Sequence, residues 1–270
     1  MASAQRRSAS SATLLAAGVG RLPTKTGDEM NEVNSEKGAT MIDTTQAHPS
    51  IVDRAAWEEK RNELLPQEKE ATRLLDAVAA QRRRLPMTEM PTYTFMGEDG
   101  PVEFIDLFEG RSQLIIHHFM FQPDWNAGCP SCSDDADNAI PHLAHFGPYD
   151  LSLVRVSRAP IEKLLAYSKR MGWVVPWYSS LDNTFNQEWG WTNDQGREVP
   201  GFSVYLQLNG QPYLTYRTQG RGVEILSSIA GHLDMAPYCR QEGWQDVPEG
   251  WPQEDVFTKI RRHDEYEQEQ

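Results

Sequence analysis

The stretch from residue 114 to residue 132 reads LIIHHFMFQPDWNAGCPSC, and the rest of the chain is interpreted outward from it. Apart from two histidines, residues 114–121 are continuously apolar, which is typical of a central strand covered on both faces. A polar turn over residues 122–128 follows, and then Cys129 and Cys132 close the stretch. Two cysteines at this spacing indicate a redox-active dithiol or half of a metal site. We interpret them first as a dithiol.

The patterns that flank this stretch predict an α/β domain. Alternating residues around a glycine-rich turn predict one hairpin, and Asn209-Gly210 predicts a second, because this pair readily adopts the positive φ angles of a tight turn. Pro160 and Gly172 are placed to begin and end a helix. The predicted order is a hairpin (93–104), a strand (114–121), a helix bent at Pro141 (133–146), a strand (151–156), a helix (161–171), a strand (174–178), a hairpin (202–218) and a helix (223–233). This order predicts a thioredoxin-like fold, a central mixed sheet flanked by helices.

Composition limits the classes of function. The 270 residues carry a formal net charge of −13, which argues against a nucleic-acid partner or an anionic membrane surface. No apolar run approaches the roughly 20 residues of a membrane helix, so we expect a soluble protein. Two of the three cysteines lie in one motif, which is unlike a disulfide-stapled secreted scaffold. We therefore expect a reducing, cytoplasmic location.

Both ends of the chain look separate from this domain. The first residues are rich in serine, alanine and arginine and contain no acid before Asp28, which indicates a disordered tail or, alternatively, a mitochondrial transit peptide. Residues 53–84 read as a helix capped by Asp53 and kinked at Pro66, with one apolar stripe that must cover the domain or a second subunit. The predicted boundaries are a tail (1–47), a helical arm (48–90), a thioredoxin-like domain (91–238) and an acidic tail (239–270).

Four short motifs carry a resemblance to a known family. They read FMFQPDW (119–125), GCPSCS (128–133), VSRAP (156–160) and MGW (171–173). From about residue 48 to residue 233 the chain resembles domain-of-unknown-function family 899, a group of thioredoxin-like proteins. The resemblance implies a fold near that of peroxiredoxins and a thiol-based role, with no settled substrate. One departure is His117-His118, where the family pattern has an aromatic residue before a single histidine, so His117 has no role by resemblance.

The spacing of the cysteines suggests how they would divide the chemistry. At a helix N-terminus, the first sulfur faces free backbone N–H groups and the positive end of the helix dipole, which favour thiolate. Cys129 is therefore the expected nucleophile, and Cys132, one turn later, is expected to resolve the mixed disulfide. The spacing does not fix whether the pair oxidises, reduces or isomerises a substrate.

Several neighbours are candidates for assisting the pair. By resemblance, His118 is its hydrogen-bonding or proton-transfer partner, although a satisfied core histidine is the alternative. Asp124 is positioned in sequence to accept the proton of the resolving cysteine, and Trp125 to form the floor of a substrate pocket. Arg158 follows a buried strand, where it would favour a thiolate or bind substrate, or form a surface ion pair.

Prolines and tryptophans supply further candidates. Thioredoxin folds usually place a cis-proline opposite the dithiol, and Pro200 is in that position, with Pro176 as the weaker candidate. Trp177, together with Trp173, Trp189 and Trp191, would line an apolar substrate pocket or pack in the core. Cys239 stands alone in sequence and is expected to be an inert thiol.

Three classes of function follow. The leading hypothesis is a thiol-disulfide oxidoreductase or thiol-dependent reductase that acts on a small molecule or a specific partner and is served by a thiol reductant. The second is a zinc, copper or iron site in which Cys129 and Cys132 are joined by His118, His142 or His145. The third is a non-catalytic scaffold that binds a small molecule and forms a homodimer through the helical arm.

Overall fold

A computed structural model describes residues 47–266 of the chain. The expected tail or transit peptide lies outside the described residues, apart from Ala47. Within the described part, no helix combines the length and apolarity needed to cross a bilayer.

One eight-stranded sheet organises the described residues, in the order β1-β8-β7-β4-β5-β6-β2-β3. The strands are β1 Thr88–Glu89, β2 Thr94–Gly97, β3 Gly100–Glu103, β4 Gln113–His118, β5 Leu151–Ser157, β6 Trp177–Ser179, β7 Gly201–Leu208 and β8 Gln211–Gln219. The helices are α1 Arg54–Arg82, α2 Pro130–Asn138, α3 Ile161–Met171, α4 Phe185–Glu188 and α5 Ser228–Met235.

The four central strands have thioredoxin-like topology. Strands β4 and β5 are parallel and are connected through α2, while β7 pairs antiparallel with β4 and β8 pairs antiparallel with β7. Helix α3 follows β5, and α5 follows the β7–β8 hairpin. A parallel β-α-β unit joined to an antiparallel hairpin and a closing helix is the predicted fold, and the structure confirms it. Asn209 and Gly210 both have positive φ, 54° and 82°, as the tight turn between β7 and β8 requires.

Two helix predictions were wrong in detail. The helix after the dithiol ends at Asn138 and does not continue past Pro141, because proline disfavours a helical conformation in the residue before it. The closing helix is divided into a 3-10 turn, Gly220–Leu226, and α5. Ser227 makes this division, since its hydroxyl caps the second helix by accepting a hydrogen bond from the backbone N–H of Ala230 at 3.3 Å.

The sheet separates two apolar clusters. The dithiol face carries the cluster that packs beneath α2 and α3, including Phe119, Phe121, Cys132, Leu164, Tyr167 and Trp177. The distal face carries the larger cluster, including Phe95, Phe104, Leu114, Ile116, Phe185, Trp191 and Tyr205. Successive side chains of a strand point to opposite faces, so the two histidines at the end of β4 are divided between them.

The N-terminal helix leaves its apolar stripe uncovered. Asp53 caps α1 as predicted, accepting from the N–H of Ala56 at 2.9 Å, and the helix continues through Pro66 as one element. None of its residues is buried, and Trp57 and Leu74 are among the exposed apolar side chains. The homodimer expected through this arm stays a prediction.

The C-terminal segment packs back onto the domain. Arg170 of α3 forms ion pairs with Asp264 and Glu265, and His263 lies 2.8 Å from a carboxylate oxygen of Asp137 in α2. Residues 263–265 therefore contact the helices α2 and α3 of the dithiol face, and the predicted domain boundaries stay a prediction.

Candidate active site

The loop before Cys129 is held at both of its ends. The N–H of Cys129 donates to the carbonyl of Met120 at 3.0 Å, which fixes the start of α2 against the end of β4. Gly128 has no room for a side chain, because an added Cβ would lie 2.4 Å from the ring of Phe119. Arg262 donates from Nε and Nη2 to the carbonyl of Gly128 at 3.0 and 2.6 Å. These contacts orient the peptide that carries the first cysteine.

Cys129 occupies an environment that favours its thiolate. It is the N-cap residue of α2 and is half-buried. The neighbouring Cys132 thiol lowers the pKa of Cys129 to about 6 against the opposing effect of burial, and the polar groups of Ser131 and the N–H of Cys132 act in the same direction. This is the donor arrangement expected at a helix N-terminus.

Cys132 has the opposite character. Its side chain is buried, and burial raises the pKa of its thiol well above the ordinary value, as does the neighbouring Cys129 sulfur. The N–H of Met120 approaches its sulfur at 3.4 Å. The two sulfurs are unbridged in this structure. The pair therefore combines an accessible, acidic thiol with a buried thiol that keeps its proton.

Glu198 is a buried carboxyl group near the dithiol that the sequence analysis missed. Its two oxygens accept hydrogen bonds from the N–H of Phe121 at 2.7 Å and the N–H of Arg158 at 2.8 Å. Burial raises its pKa to about 7 despite these donors, and the charge of Cys129 contributes to the increase. Its position two residues before Pro200 was the only signal in the sequence.

Asp135 is a second carboxyl group in this region that the sequence analysis missed. It lies one helical turn after Cys132 on α2 and is half-buried. Burial raises its pKa to about 7, and the charges of Asp134 and Cys129 act in the same direction. The signal that would have found it is the (i, i+3) spacing from Cys132, which places both side chains on one side of the helix.

His118 lies on the distal face. Its ring stacks on Trp191 with centroids 3.5 Å apart, and its Nε2 is 2.6 Å from the hydroxyl of Ser203. Burial lowers its pKa well below the ordinary value. The resemblance suggested a partner for the dithiol, but the alternation of β4 sends this side chain to the face opposite Cys132.

His117 and Arg155 lie on the dithiol face instead. They are cross-strand neighbours on β4 and β5, and both are buried. His117 stacks on Phe202 and has no hydrogen-bond partner at either ring nitrogen, while the guanidinium of Arg155 lies 4.4 Å from the ring of Trp173. Burial lowers the pKa of Arg155 to about 9. No local pattern singled out Arg155, because it lies within an apolar strand.

The side chains of Asp124 and Arg158, both expected to assist the dithiol, do not contact it. Asp124 is exposed, because the turn before Gly128 directs it to solvent. Trp125 packs at the edge of the apolar cluster of the dithiol face, and its carbonyl accepts from Lys163 at 3.0 Å. Arg158 contributes its backbone N–H to Glu198, while its side chain reaches the carbonyl of Gly196.

Pro200 lies at the pocket beside the dithiol, whereas Trp177 lies in the core. Pro200 borders the same pocket as Ser131 and Cys132, but all peptide bonds of the described residues are trans, so the expected cis-proline is not observed. Trp177 is buried in the core, where its Nε1 donates to Ser157 at 3.0 Å. Trp177 therefore packs in the core, which was the alternative to the expected substrate contact.

The alternative metal site is not assembled. Among residues 47–266, no group of three or more cysteine, histidine, aspartate or glutamate side chains is arranged to hold a metal ion. His118 is on the other face of the sheet, and the ring of His142 accepts from the N–H of Ala144 within its own turn. The histidines proposed as ligands therefore do not complete a site with Cys129 and Cys132.

Comparison with known proteins identifies the family. A family model described as a bacterial protein of unknown function, DUF899, matches residues 46–266. The chain belongs to this family. The match continues beyond residue 233 and includes most of the C-terminal segment, which the sequence analysis placed outside the resemblance. No curated protein matches the chain significantly.

Solved structures with a similar fold are distant from this member of the family. Peroxidoxin BcpB from Mycobacterium tuberculosis is 15% identical over 50% of this chain and 85% of its own, with a TM-score of 0.40. The mitochondrial 2-Cys peroxiredoxin from Plasmodium falciparum is 14% identical over 55% and 95%, with a TM-score of 0.38. A putative thiol:disulfide interchange protein DsbE from Chlorobium tepidum is 12% identical over 50% and 84%, with a TM-score of 0.36. Likenesses this distant do not transfer an activity.

Proposed function

We propose that this protein is a thiol-dependent oxidoreductase in which Cys129 attacks the substrate and Cys132 resolves the intermediate. The observation that carries the proposal is the asymmetry of the pair. Cys129 is half-buried with a pKa of about 6, whereas Cys132 is buried with a raised pKa. At neutral pH the first sulfur is therefore a thiolate ready to attack, and the second remains protonated until the first has reacted.

The reaction with a disulfide proceeds in two displacements. The Cys129 thiolate forms a bond to one substrate sulfur, the substrate S–S bond breaks, and the other sulfur leaves as a thiolate that takes a proton. Cys132 then loses its proton and attacks Cys129, which forms the Cys129–Cys132 disulfide and releases the second substrate thiol. The substrate gains two electrons and the pair loses two. An external thiol reductant returns the pair to its starting state.

With a peroxide, the same thiolate would break the O–O bond. Cys129 would then become a sulfenic acid and the substrate would leave as an alcohol. Attack by Cys132 would form the same internal disulfide and release water. Both substrates require the same order of attack by the two cysteines.

Asp135 is the residue that we assign to accept the proton of Cys132. Its pKa of about 7 is raised in part by the Cys129 thiolate. Once Cys129 has formed a mixed disulfide, that negative charge is gone and the carboxyl group ionises more readily. A base thus becomes available beside Cys132 at the step that needs it. Glu198 is held by two backbone donors and shares this dependence on the charge of Cys129.

The test compares the two cysteines in the full chain, with mass spectrometry of the peptides to separate the signal of Cys129 from those of Cys132 and Cys239. We expect Cys129→Ser to abolish dithiothreitol-dependent reduction of a disulfide. Cys132→Ser should still attack and should accumulate a mixed disulfide, which mass spectrometry detects. Alkylation of Cys129 by iodoacetamide should rise with pH with a midpoint at about 6. Unchanged turnover in Cys129→Ser, or an alkylation midpoint near the ordinary thiol value of ~8.5, would disprove the proposal.

A further inference from the structure

A large pocket opens beside the dithiol and is not explained by the two cysteines alone. Its volume is about 680 Å³, which is within the range of small-molecule sites. Ser131, Cys132, Asp135 and Pro200 border it on the side of α2 and β7. The remaining walls come from α5, from the turn that precedes it and from the C-terminal segment. The segment that looked like an acidic tail thus helps to enclose the space next to the reactive pair.

The walls of the pocket are mainly apolar. The apolar side chains include Val223, Ile229, Leu233, Val256, Phe257 and Ile260. Leu233 is 37% exposed and Phe257 is 60% exposed, so these apolar groups are accessible to a molecule in the pocket. Clustered exposed apolar surface next to polar groups is characteristic of a binding site.

The basic side chains at the pocket are already neutralised. Arg240 pairs with Glu224 and Asp234, and Lys259 pairs with Glu254 at 3.1 Å. Arg221 pairs with Glu224 at 3.2 Å and lies over the ring of Trp244. None of these cations is left to bind an anionic ligand. The acidic Asp134 and Asp135 on the α2 side also oppose a negatively charged group.

The backbone around the pocket is held in an unusual conformation. Cys239, Gln241 and Phe257 have φ angles of 51°, 60° and 68°, in the left-handed region that side chains other than glycine seldom adopt. All three residues line the pocket. Such conformations concentrate at ligand-binding segments, where the surrounding structure maintains them.

We propose that this pocket binds an uncharged, apolar substrate that carries the reducible S–S or O–O bond. The inference rests on the proposed function, because it names the class of substrate on which the dithiol acts. Ser131 and Cys132 link the two parts, since both line the pocket and both lie in the first turn of α2, directly after Cys129. An apolar molecule in the pocket would therefore present its reactive bond at the start of α2.

Binding is tested without turnover in the full-length Cys129→Ser/Cys132→Ser variant. Nile red, a neutral apolar dye, should bind saturably, and the anionic dye 8-anilino-1-naphthalenesulfonate should bind more weakly. Leu233→Ala and Phe257→Ala should each weaken Nile red binding roughly tenfold, as expected when apolar contacts are removed. Met235→Ala is the matched control, because Met235 is exposed on the same helix as Leu233 and does not line the pocket. Equal binding of the anionic dye, or Nile red binding that both pocket variants leave unchanged, would overturn the inference.

Displacement of the dye identifies the reactive bond. Dibutyl disulfide and cumene hydroperoxide are apolar and uncharged, whereas oxidised glutathione carries net negative charge. Displacement by dibutyl disulfide alone assigns an S–S substrate, and displacement by cumene hydroperoxide alone assigns an O–O substrate; displacement by both admits either bond. Displacement by neither, or by oxidised glutathione at the same concentration as the apolar compounds, contradicts the proposed class. If Nile red binds the double variant as expected, but the single variant Cys129→Ser turns over normally, only the proposed function fails.

Discussion

The two faces of the sheet differ in the polar groups that they bury. On the distal face, aromatic rings pack closely, and His118 combines stacking on Trp191 with a hydrogen bond between its Nε2 and Ser203, while its Nδ1 and the hydroxyl of Tyr205 have no partner. On the dithiol face, His117 and Arg155 are buried with nitrogens that lack partners, and two cysteines with divergent pKa values lie at the start of α2. The comparison indicates that the distal face supplies stability, while the dithiol face retains the costly groups expected near chemistry.

The largest expected effect on stability comes from removing a buried aromatic side chain on the distal face. Phe104 is buried and contacts the rings of Phe95, Phe185 and Tyr205. Phe104→Ala should lower the free energy of unfolding by about 3–5 kcal/mol, because it removes buried area and leaves a cavity. Denaturant unfolding measures the loss.

The midpoint for alkylation of Cys129 in folded Phe104→Ala should stay at about 6, since Cys132 and Ser131, which lower its pKa, do not belong to the distal face. The matched control is Tyr149→Ala, which removes an exposed aromatic side chain and should change stability by less than about 0.5 kcal/mol. A shifted alkylation midpoint in Phe104→Ala would show that the two faces are coupled.

An intermediate effect is expected where the dithiol face has no spare room. Gly128→Ala would place a Cβ 2.4 Å from Phe119 and 2.9 Å from Tyr167, so the loop before Cys129 must shift. Overpacking of this kind costs about 1–3 kcal/mol. Unlike Phe104→Ala, this variant should also raise the pKa of Cys129, because the shift disturbs the donors around its sulfur. The pH profile of alkylation, measured beside denaturant unfolding, tests both expectations.

Gly231→Ala is the control for this substitution. Gly231 lies in α5 with open space where a Cβ would be added, so the same change should stabilise the helix slightly and leave the pKa of Cys129 at about 6. If Gly128→Ala behaved like Gly231→Ala, the close packing around the dithiol loop would have no functional consequence.

The fold could be predicted because its determinants are local in the sequence. The apolar run of β4, the Asn209-Gly210 turn and the proline and glycine that flank α3 each specify a short element, and their order specifies the topology. Boundaries were wrong where one residue overrides a periodic pattern, as Pro141 does for α2 and Ser227 does for the closing helix.

The candidate site was predictable only in part, for the same reason. Cys129 and Cys132 are three residues apart, so their spacing alone indicates paired chemistry. Glu198 meets Phe121 across 77 residues and Arg262 meets Gly128 across 134 residues, and no local pattern reports such contacts. Asp124 was chosen because it is near Cys129 in sequence, but the turn exposes it. Side chains alternate along β4, so the two histidines lie on opposite faces, while the resemblance alone selected His118.

The smallest expected effect is also the most direct comparison of the two faces, because it uses one substitution at two adjacent residues. His117→Phe removes two buried nitrogens that have no partner and keeps the stacking on Phe202, so it should raise the free energy of unfolding by about 1 kcal/mol. His118→Phe removes the hydrogen bond to Ser203 and should lower it by about 1–3 kcal/mol.

The pH dependence gives these paired variants a second readout. Burial lowers the pKa of both histidines well below 6.5, so below that pH the unfolded chain binds protons that the folded chain does not. The contribution of each neutral histidine to the free energy of unfolding is therefore present above about pH 6.5. It is lost as the pH falls toward the lowered pKa that the histidine has in the folded state. Either variant should reduce the dependence of stability on pH in this window. Urea unfolding of both variants at several pH values between about 5 and 7.5 makes the comparison. The same sign of change at pH 7.5 for His117→Phe and His118→Phe would refute the inferred difference in hydrogen bonding between the two rings.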